Sequence, residues 1–394
     1  MFAITPNTTP SKEETLDISD HTESGNVTSA PIFTSDILEE KVSEWLWKTI
    51  PIPLLCVGLA GNILTIKVLL RMGIRRQPTL TFLLFLAVTD MVALLTVLPR
   101  YWIHFTFNFD LKHVSNANCK LYYFFVYVSF HFSSWILVGV SIERAVKTYF
   151  PLRYKNIYTT KRVFIGLFVT LFLLCGINMH FFFTNGINEY TEGECGSLSP
   201  EYFHFDEFVF VYIDLCVSSI VPFLIMFVCN ILLIRVLRNA QRQRPSLMHE
   251  MFVQRANRFS VKMTKMLVVG TAYFITATLP LCIYFIVDSY LLPGYEESKN
   301  ASAIARMDLI WTVCYLVALS NCCVNFYLYT AINDRFYKEF MSMLRCKPRL
   351  RRASVYTTRM SNSTRHRSET SQGIELSLSE EGTIDAADRN TGPL

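Results

Sequence analysis

Charge is what this sequence has least of. Asp, Glu, Lys and Arg together make up 18% of its 394 residues, where a soluble domain carries about a quarter. That shortage, with apolar runs too long for a soluble core, excludes an ordinary soluble globular protein. Other absences narrow the chemistry. There is no zinc-type spacing, no phosphate-binding Gly-rich loop, no nucleophile elbow and no catalytic-type pair of carboxylates, so the residues give no reason to propose an enzyme. Met1–Thr15 has no apolar core; a cleavable signal peptide is not expected, and the first long apolar run is read as the targeting signal.

What is present is apolar and aromatic: 51% hydrophobic residues, with 31 Phe and 19 Tyr, as suits helices solvated by lipid with aromatic side chains at the interfaces. Seven stretches can span a bilayer, at about 48–71, 79–104, 119–143, 163–184, 208–234, 264–290 and 308–331. Each holds a few polar residues, so the helices are expected to pack together around a polar interior. The expected architecture is an all-α membrane protein, a seven-helix transmembrane bundle. Residues 1–44 read as a disordered outer tail rich in Thr, Ser, Glu and Asp, 45–346 as the helical domain, and 347–394 as a hydrophilic cytoplasmic tail.

Basic residues orient the bundle. Arg71, Arg75 and Arg76 follow span one, and Lys147, Arg153, Lys155, Lys161 and Arg162 follow span three, in both cases without an acid. The Arg235–Lys265 stretch has eight basic residues and one acid, Glu250; the Thr184–Glu207 link has six acids and no Lys or Arg. The positive-inside rule places the N-terminus outside and the C-terminus in the cytoplasm. The net +5 thus sums a basic inner face and an acidic outer one, and gives no sign of nucleic-acid binding. Sequons at Asn7, Asn26 and Asn300 fall outside and are candidate glycosylation sites; the one at Asn362 falls inside and should be silent.

Eight of the eleven cysteines lie within spans, where small apolar packing is the simplest role. Cys119 and Cys195 alone take outer-face positions, and a disulfide between them is expected. Cys346, beside Lys347 and following arginines, is a candidate for palmitoylation or a free thiol. Within the membrane Asp90 is the clearest functional residue. Asn62, Ser133, Asn321 and Asn325 are candidates to share its pocket, either as oxygen ligands around a sodium ion or a proton, or as a purely structural hydrogen-bond network.

Gly61-Asn62, Leu86-Ala87-Val88-Thr89-Asp90, Cys119, Glu143-Arg144-Ala145 with Pro151-Leu152, Pro222, Pro280 and Asn325-Phe326-Tyr327-Leu328-Tyr329 occur in that order. Together they resemble the rhodopsin-like (class A) G-protein-coupled receptors over about residues 45–346. Asn333-Asp334-Arg335-Phe336 would open a short amphipathic eighth helix. The resemblance implies that Arg144 pairs with Glu143 at rest and engages a heterotrimeric G protein when active. It implies that Leu152 is an apolar plug in the second cytoplasmic loop, Phe274 a core aromatic that repacks, Pro280 the kink on which span six swings, and Tyr329 a tyrosine that rotates inward. It also implies a sodium site at Asp90, Ser133, Asn321 and Asn325, with no required cofactor. Departures are Phe326 in place of Pro, Thr278 in place of an aromatic, Asn230 in place of Tyr, and no Trp in span four. Ser260 stands where an acid could lock Arg144 to span six, so high basal signalling is expected.

An amine receptor of this kind would have Asp at Val126, and an opsin would have Lys at Leu319 for its Schiff base. The remaining candidates at the outer mouth are Arg100, His104, Tyr123, Tyr127, Asp214, Asp288, Trp311 and Tyr315. Acids beside aromatic faces favour a cationic ligand, with Arg100 left to receive a carboxylate or amide carbonyl; an interfacial aromatic belt is the alternative. The 185–205 link is compatible with a β-hairpin lid, and Asn325-Phe326 with Tyr329 resembles invertebrate neuropeptide receptors of the FMRFamide and sex-peptide type. A short basic or amidated neuropeptide is the expected ligand, with a lipid or small molecule as the runner-up. A transporter would show internal repeats and broken helices, and no repeat is evident. In the tail, Ser354 after Arg351-Arg352-Ala353 suits a basophilic kinase, and the Thr and Ser residues from Thr357 to Ser371 could recruit arrestin once receptor kinases act.

Overall fold

The computed structural model describes residues 38–74, 77–242, 250–298 and 300–345. Asn7, Asn26, Cys346, Ser354 and the tail Ser and Thr residues lie outside the described residues, as does the side chain of Ser260.

Seven helices are long and apolar enough to cross a membrane. Their regular parts run Pro51–Met72, Pro78–Phe107, Asn116–Tyr149, Thr160–Asn178, Val221–Arg242, Glu250–Glu297 and Ala301–Ile332. Most extend beyond the apolar stretches, because hydropathy marks where lipid ends and not where a helix stops. Span three begins at a Ser115 cap, whose side chain accepts from the Asn118 amide, and ends at Tyr149, two residues before Pro151. Span one turns off at Gly73, whose left-handed φ of 88° few other residues would tolerate.

Two elements depart from the expected boundaries. A helix occupies Leu38–Thr49, taking in the last residues, 38–44, of the stretch assigned to the tail. Its few apolar side chains give it no bilayer-length signal; what holds it is Trp47, fully buried in the bundle. Span five is not one regular helix. Asp206–Phe210 and Cys216–Ile220 are π turns, the second just before Pro222, whose ring nitrogen has no hydrogen to donate.

The bundle's core is two apolar clusters with a polar layer between them. One gathers Leu94, Val97, Val126 and Leu319 toward the Cys119 end; the other gathers Val68, Leu83, Ile136 and Met266 toward the Arg144 end. Asn62, Asp90, Asn321 and Asn325 are buried where the clusters meet. Spans one, two and seven approach closely at Gly58, where a Cβ would come within 2.5 Å of Leu94 Cδ1 and 2.7 Å of Cys323 Sγ. Asp334–Leu344 forms the eighth helix, capped by Asn333 and clasped to span one by Arg71 and Glu339, 3.1 Å apart.

Candidate functional site

In the polar layer the Asp90 carboxylate is wholly buried. Ser133 Oγ donates to one oxygen at 3.2 Å and Asn325 Nδ2 to the other at 2.8 Å. Asn62 Nδ2 donates instead to the Cys322 carbonyl at 2.9 Å, tying span one to span seven. Asn321 lines a small adjoining cavity with Ser133, Ser134, Ser218, Ser219 and Thr278. Thr278 stands where an aromatic would have filled that space; its hydroxyl bonds back to the Phe274 carbonyl at 2.6 Å. Among the described residues no Lys, Arg or His pairs with Asp90. A buried carboxylate held by neutral donors is costly unless a proton or small cation joins it. Carboxylate, hydroxyl and amide oxygens are hard donors that fit sodium.

At the next level, Arg144 Nε lies 3.0 Å from Glu143 Oε2. Two further groups hold Glu143. Thr79 Oγ1 donates to it at 3.0 Å while accepting from Arg144 Nη2, and the Tyr154 hydroxyl donates to it at 2.5 Å. Tyr154 sits on a short helix, Pro151–Ile157, whose start Pro151 suits. Burial, then the Glu143 charge, pushes its phenol above the ordinary range. Leu152, on the same turn, is 90% exposed. Phe274 packs edge-on against Phe223, and Tyr329 against Phe336. Asn230, in place of an expected Tyr, donates to Thr271 Oγ1 of span six at 2.6 Å. Lys262 of span six is ion-paired with Asp334 of the eighth helix.

The Cys119 end holds the expected disulfide between Cys119 and Cys195, Cα atoms 5.5 Å apart. Strands β1, Asn185–Gly186, and β2, Gly196–Ser197, pair antiparallel beside it. Here two candidate ligand groups need correction. Arg100 is not waiting for a carboxylate: Nε and Nη2 grip both oxygens of Asp110 at 2.8 and 2.6 Å, and Nη1 donates to Tyr122 at 3.0 Å. Its guanidinium also lies over the Tyr101 and Tyr122 rings. Burial works to raise the Asp110 carboxyl, but the Arg100 bonds and charge override it and hold it at about 2. Burial beside Arg100 pulls Lys112 down to about 8. His104 is part of this group, 4.0 Å from Asp110.

Asp214 likewise does not face the mouth. It is fully buried, 2.6 Å from His131 Nε2, and the other nitrogen of that ring meets Asn178 Nδ2 at 2.9 Å. An acid near a helix top can be placed by counting, but its partner on another helix cannot. Tyr123 and Tyr127 pack on Phe181. Asp288 accepts from Tyr284 at 2.8 Å, and Glu40 and Asp288 are both within electrostatic reach of Asp308. Trp311 and Tyr315 meet Trp47 rather than open space. Sequence reasoning missed Trp47, Thr79, Asp110, His131, Tyr154 and Asn178. A buried His in an apolar span carries a signal for function; Asp110 and Tyr154, in links, carry none.

Seven membrane-crossing helices, a disulfide beside a small hairpin at one end and a buried Glu–Arg pair at the other define a multi-pass membrane receptor. The model of the seven-transmembrane receptor (rhodopsin) family matches residues 61–329, and the chain belongs to that family. It is 23% identical over 322 residues to the human cysteinyl leukotriene receptor 1, covering 80% of this chain and 90% of that one. It is 26% identical to the mouse galanin receptor type 2, over 81% and 82% of the two chains. With the human C-C chemokine receptor type 1 it shares 24%, over 72% and 74%. These relatives are signalling receptors and not enzymes. Their ligands, as named, include both leukotriene and galanin, so the relatives alone do not assign this chain to invertebrate neuropeptide receptors.

Proposed function

We propose that this receptor sits in the plasma membrane with the Cys119 end outside, binds a short basic or amidated peptide there, and activates heterotrimeric G proteins through Arg144. The observation that carries the peptide reading is the charge at the outer rim. The buried cation of Arg100 is taken up by Asp110, and Glu40 and Asp288 lie within electrostatic reach of Asp308. A cationic ligand is thus favoured over a lipid carboxylate. The hairpin at β1 and β2 leaves a lid suited to an extended chain. Ligand binding would favour the bundle state in which span six swings on Pro280, Phe274 and Tyr329 repack, and Arg144 leaves Glu143. Leu152 then stands ready as an apolar contact. Receptor kinases and arrestin would act on the tail, glycans on Asn7, Asn26 and the exposed helix cap Asn300, and an acyl chain on Cys346.

The test is a peptide-library screen in transfected cells with calcium and cyclic-AMP readouts. A basic peptide hit whose potency falls about tenfold or more in Asp288→Asn and Asp308→Asn supports the reading. A second reading, a lipid ligand, is favoured by the likeness to the leukotriene receptor. A lipid hit indifferent to both substitutions would replace the peptide.

A further inference from the structure

The aromatic residues expected to receive a ligand are occupied by the chain itself. Trp47 stacks on Tyr101 of span two, ring centres 4.3 Å apart at 21°, and lies 5.9 Å from Phe105. On its other side are Trp311 at 5.6 Å and Tyr315 at 6.0 Å, both of span seven. Its indole N–H donates to Thr312 Oγ1 at 3.0 Å, and Ser43 shares that hydroxyl at 2.7 Å. Glu39 adds an ion pair to Arg306 at 3.3 Å. The leading helix, Leu38–Thr49, therefore staples spans two and seven at the Cys119 end.

Its attachment to span one is weaker. The join reads Ile50-Pro51-Ile52-Pro53, and the two prolines remove two donors from the backbone ladder. Bonds from Ile50 to Leu46 and from Leu54 to Ile50 bracket the gap. A helix whose base lacks the donors of Pro51 and Pro53 but which is gripped by one buried indole can be held in place or released as a unit.

We propose that Trp47 is a resident occupant that holds the receptor off, and that an incoming aryl-bearing ligand relieves the inhibition by replacing it. The sign comes from the other end of the molecule. The conformation that seats Trp47 is the one in which Glu143, Thr79 and Tyr154 restrain Arg144. Contacts made in that state and lost in the active one lower basal activity. The inference rests on the receptor reading above.

It is tested without ligand, by nucleotide exchange on heterotrimeric G proteins with the full-length receptor in lipid nanodiscs, surface expression being measured in parallel. Thr312→Val removes the shared acceptor while keeping the shape, Trp47→Phe keeps a ring without the N–H, and Trp47→Ala empties the box. Basal exchange should rise in all three, by about three- to tenfold for Trp47→Ala. A merely structural role would lower signal, not raise it. Should these variants fail to reach the surface, the oxidised Ser43→Cys/Thr312→Cys double variant decides. Locking the helix should bring basal exchange below wild type, and unchanged or raised exchange overturns the proposal. Surface-expressed Trp47 variants with wild-type or lower exchange also overturn it. Glu143→Gln is the control: if it too is silent with every G-protein class, the receptor reading itself fails.

Discussion

The Arg100–Asp110 clasp shows how a residue suited to bind a ligand can be spent on holding a loop. Both oxygens of Asp110 are used, and its carboxyl is depressed from 3.8 to about 2. That displacement is worth about 2 kcal/mol at neutral pH. Because the folded carboxyl titrates lower than an unfolded one, the contribution is complete above about pH 4 and fades as pH falls toward about 2. Asp110→Asn should therefore lower thermal stability near neutral pH, and its difference from wild type should shrink only in strong acid. Thermal unfolding in nanodiscs at stepped pH measures this. At this scale the sequence was legible where a residue's partner is its neighbour, as with Glu143 and Arg144. Across elements it was legible only for the Cys119–Cys195 disulfide and the group around Asp90, and not for Asp110 with Arg100, His131 with Asp214 or Tyr154 with Glu143. Helical spacing tells which face a side chain shares, but a partner on a second helix depends on how the two pack.

Among elements, the seven spans were legible because bilayer-length apolar runs have few alternative structures. The leading helix was not, since its stability comes from one indole seated between two distant spans. The π turns of span five were equally hidden, Pro222 marking a disturbance but not its form. Span six raises a related point. Ser260 offers no acid to Arg144, yet Lys262 is tied to Asp334 of the eighth helix. An outward swing of span six would part them. Asp334→Lys and Lys262→Asp should each raise basal signalling by about two- to fivefold, the range expected of an exposed pair, and the double swap should restore the wild-type level. Additive effects in that double variant would show that the pair does not restrain span six. The tie also tempers the expected high basal activity.

In the whole molecule, two apolar clusters are separated by a layer built on Asp90. If sodium completes that layer, replacing sodium with choline at constant ionic strength should lower the thermal midpoint of wild type but not of Asp90→Asn. The layer, the Trp47 staple and the Glu143 restraint all belong to one conformation. In the proposed function this conformation is the resting state of a receptor that reaches G proteins through Arg144. Ligand-free nucleotide exchange with purified protein in nanodiscs tests it most directly. Glu143→Gln should drive exchange above wild type on at least one G-protein class, and adding Arg144→Ala should return it to the receptor-free rate. Exchange that no variant accelerates, or that survives the loss of Arg144, would contradict the account.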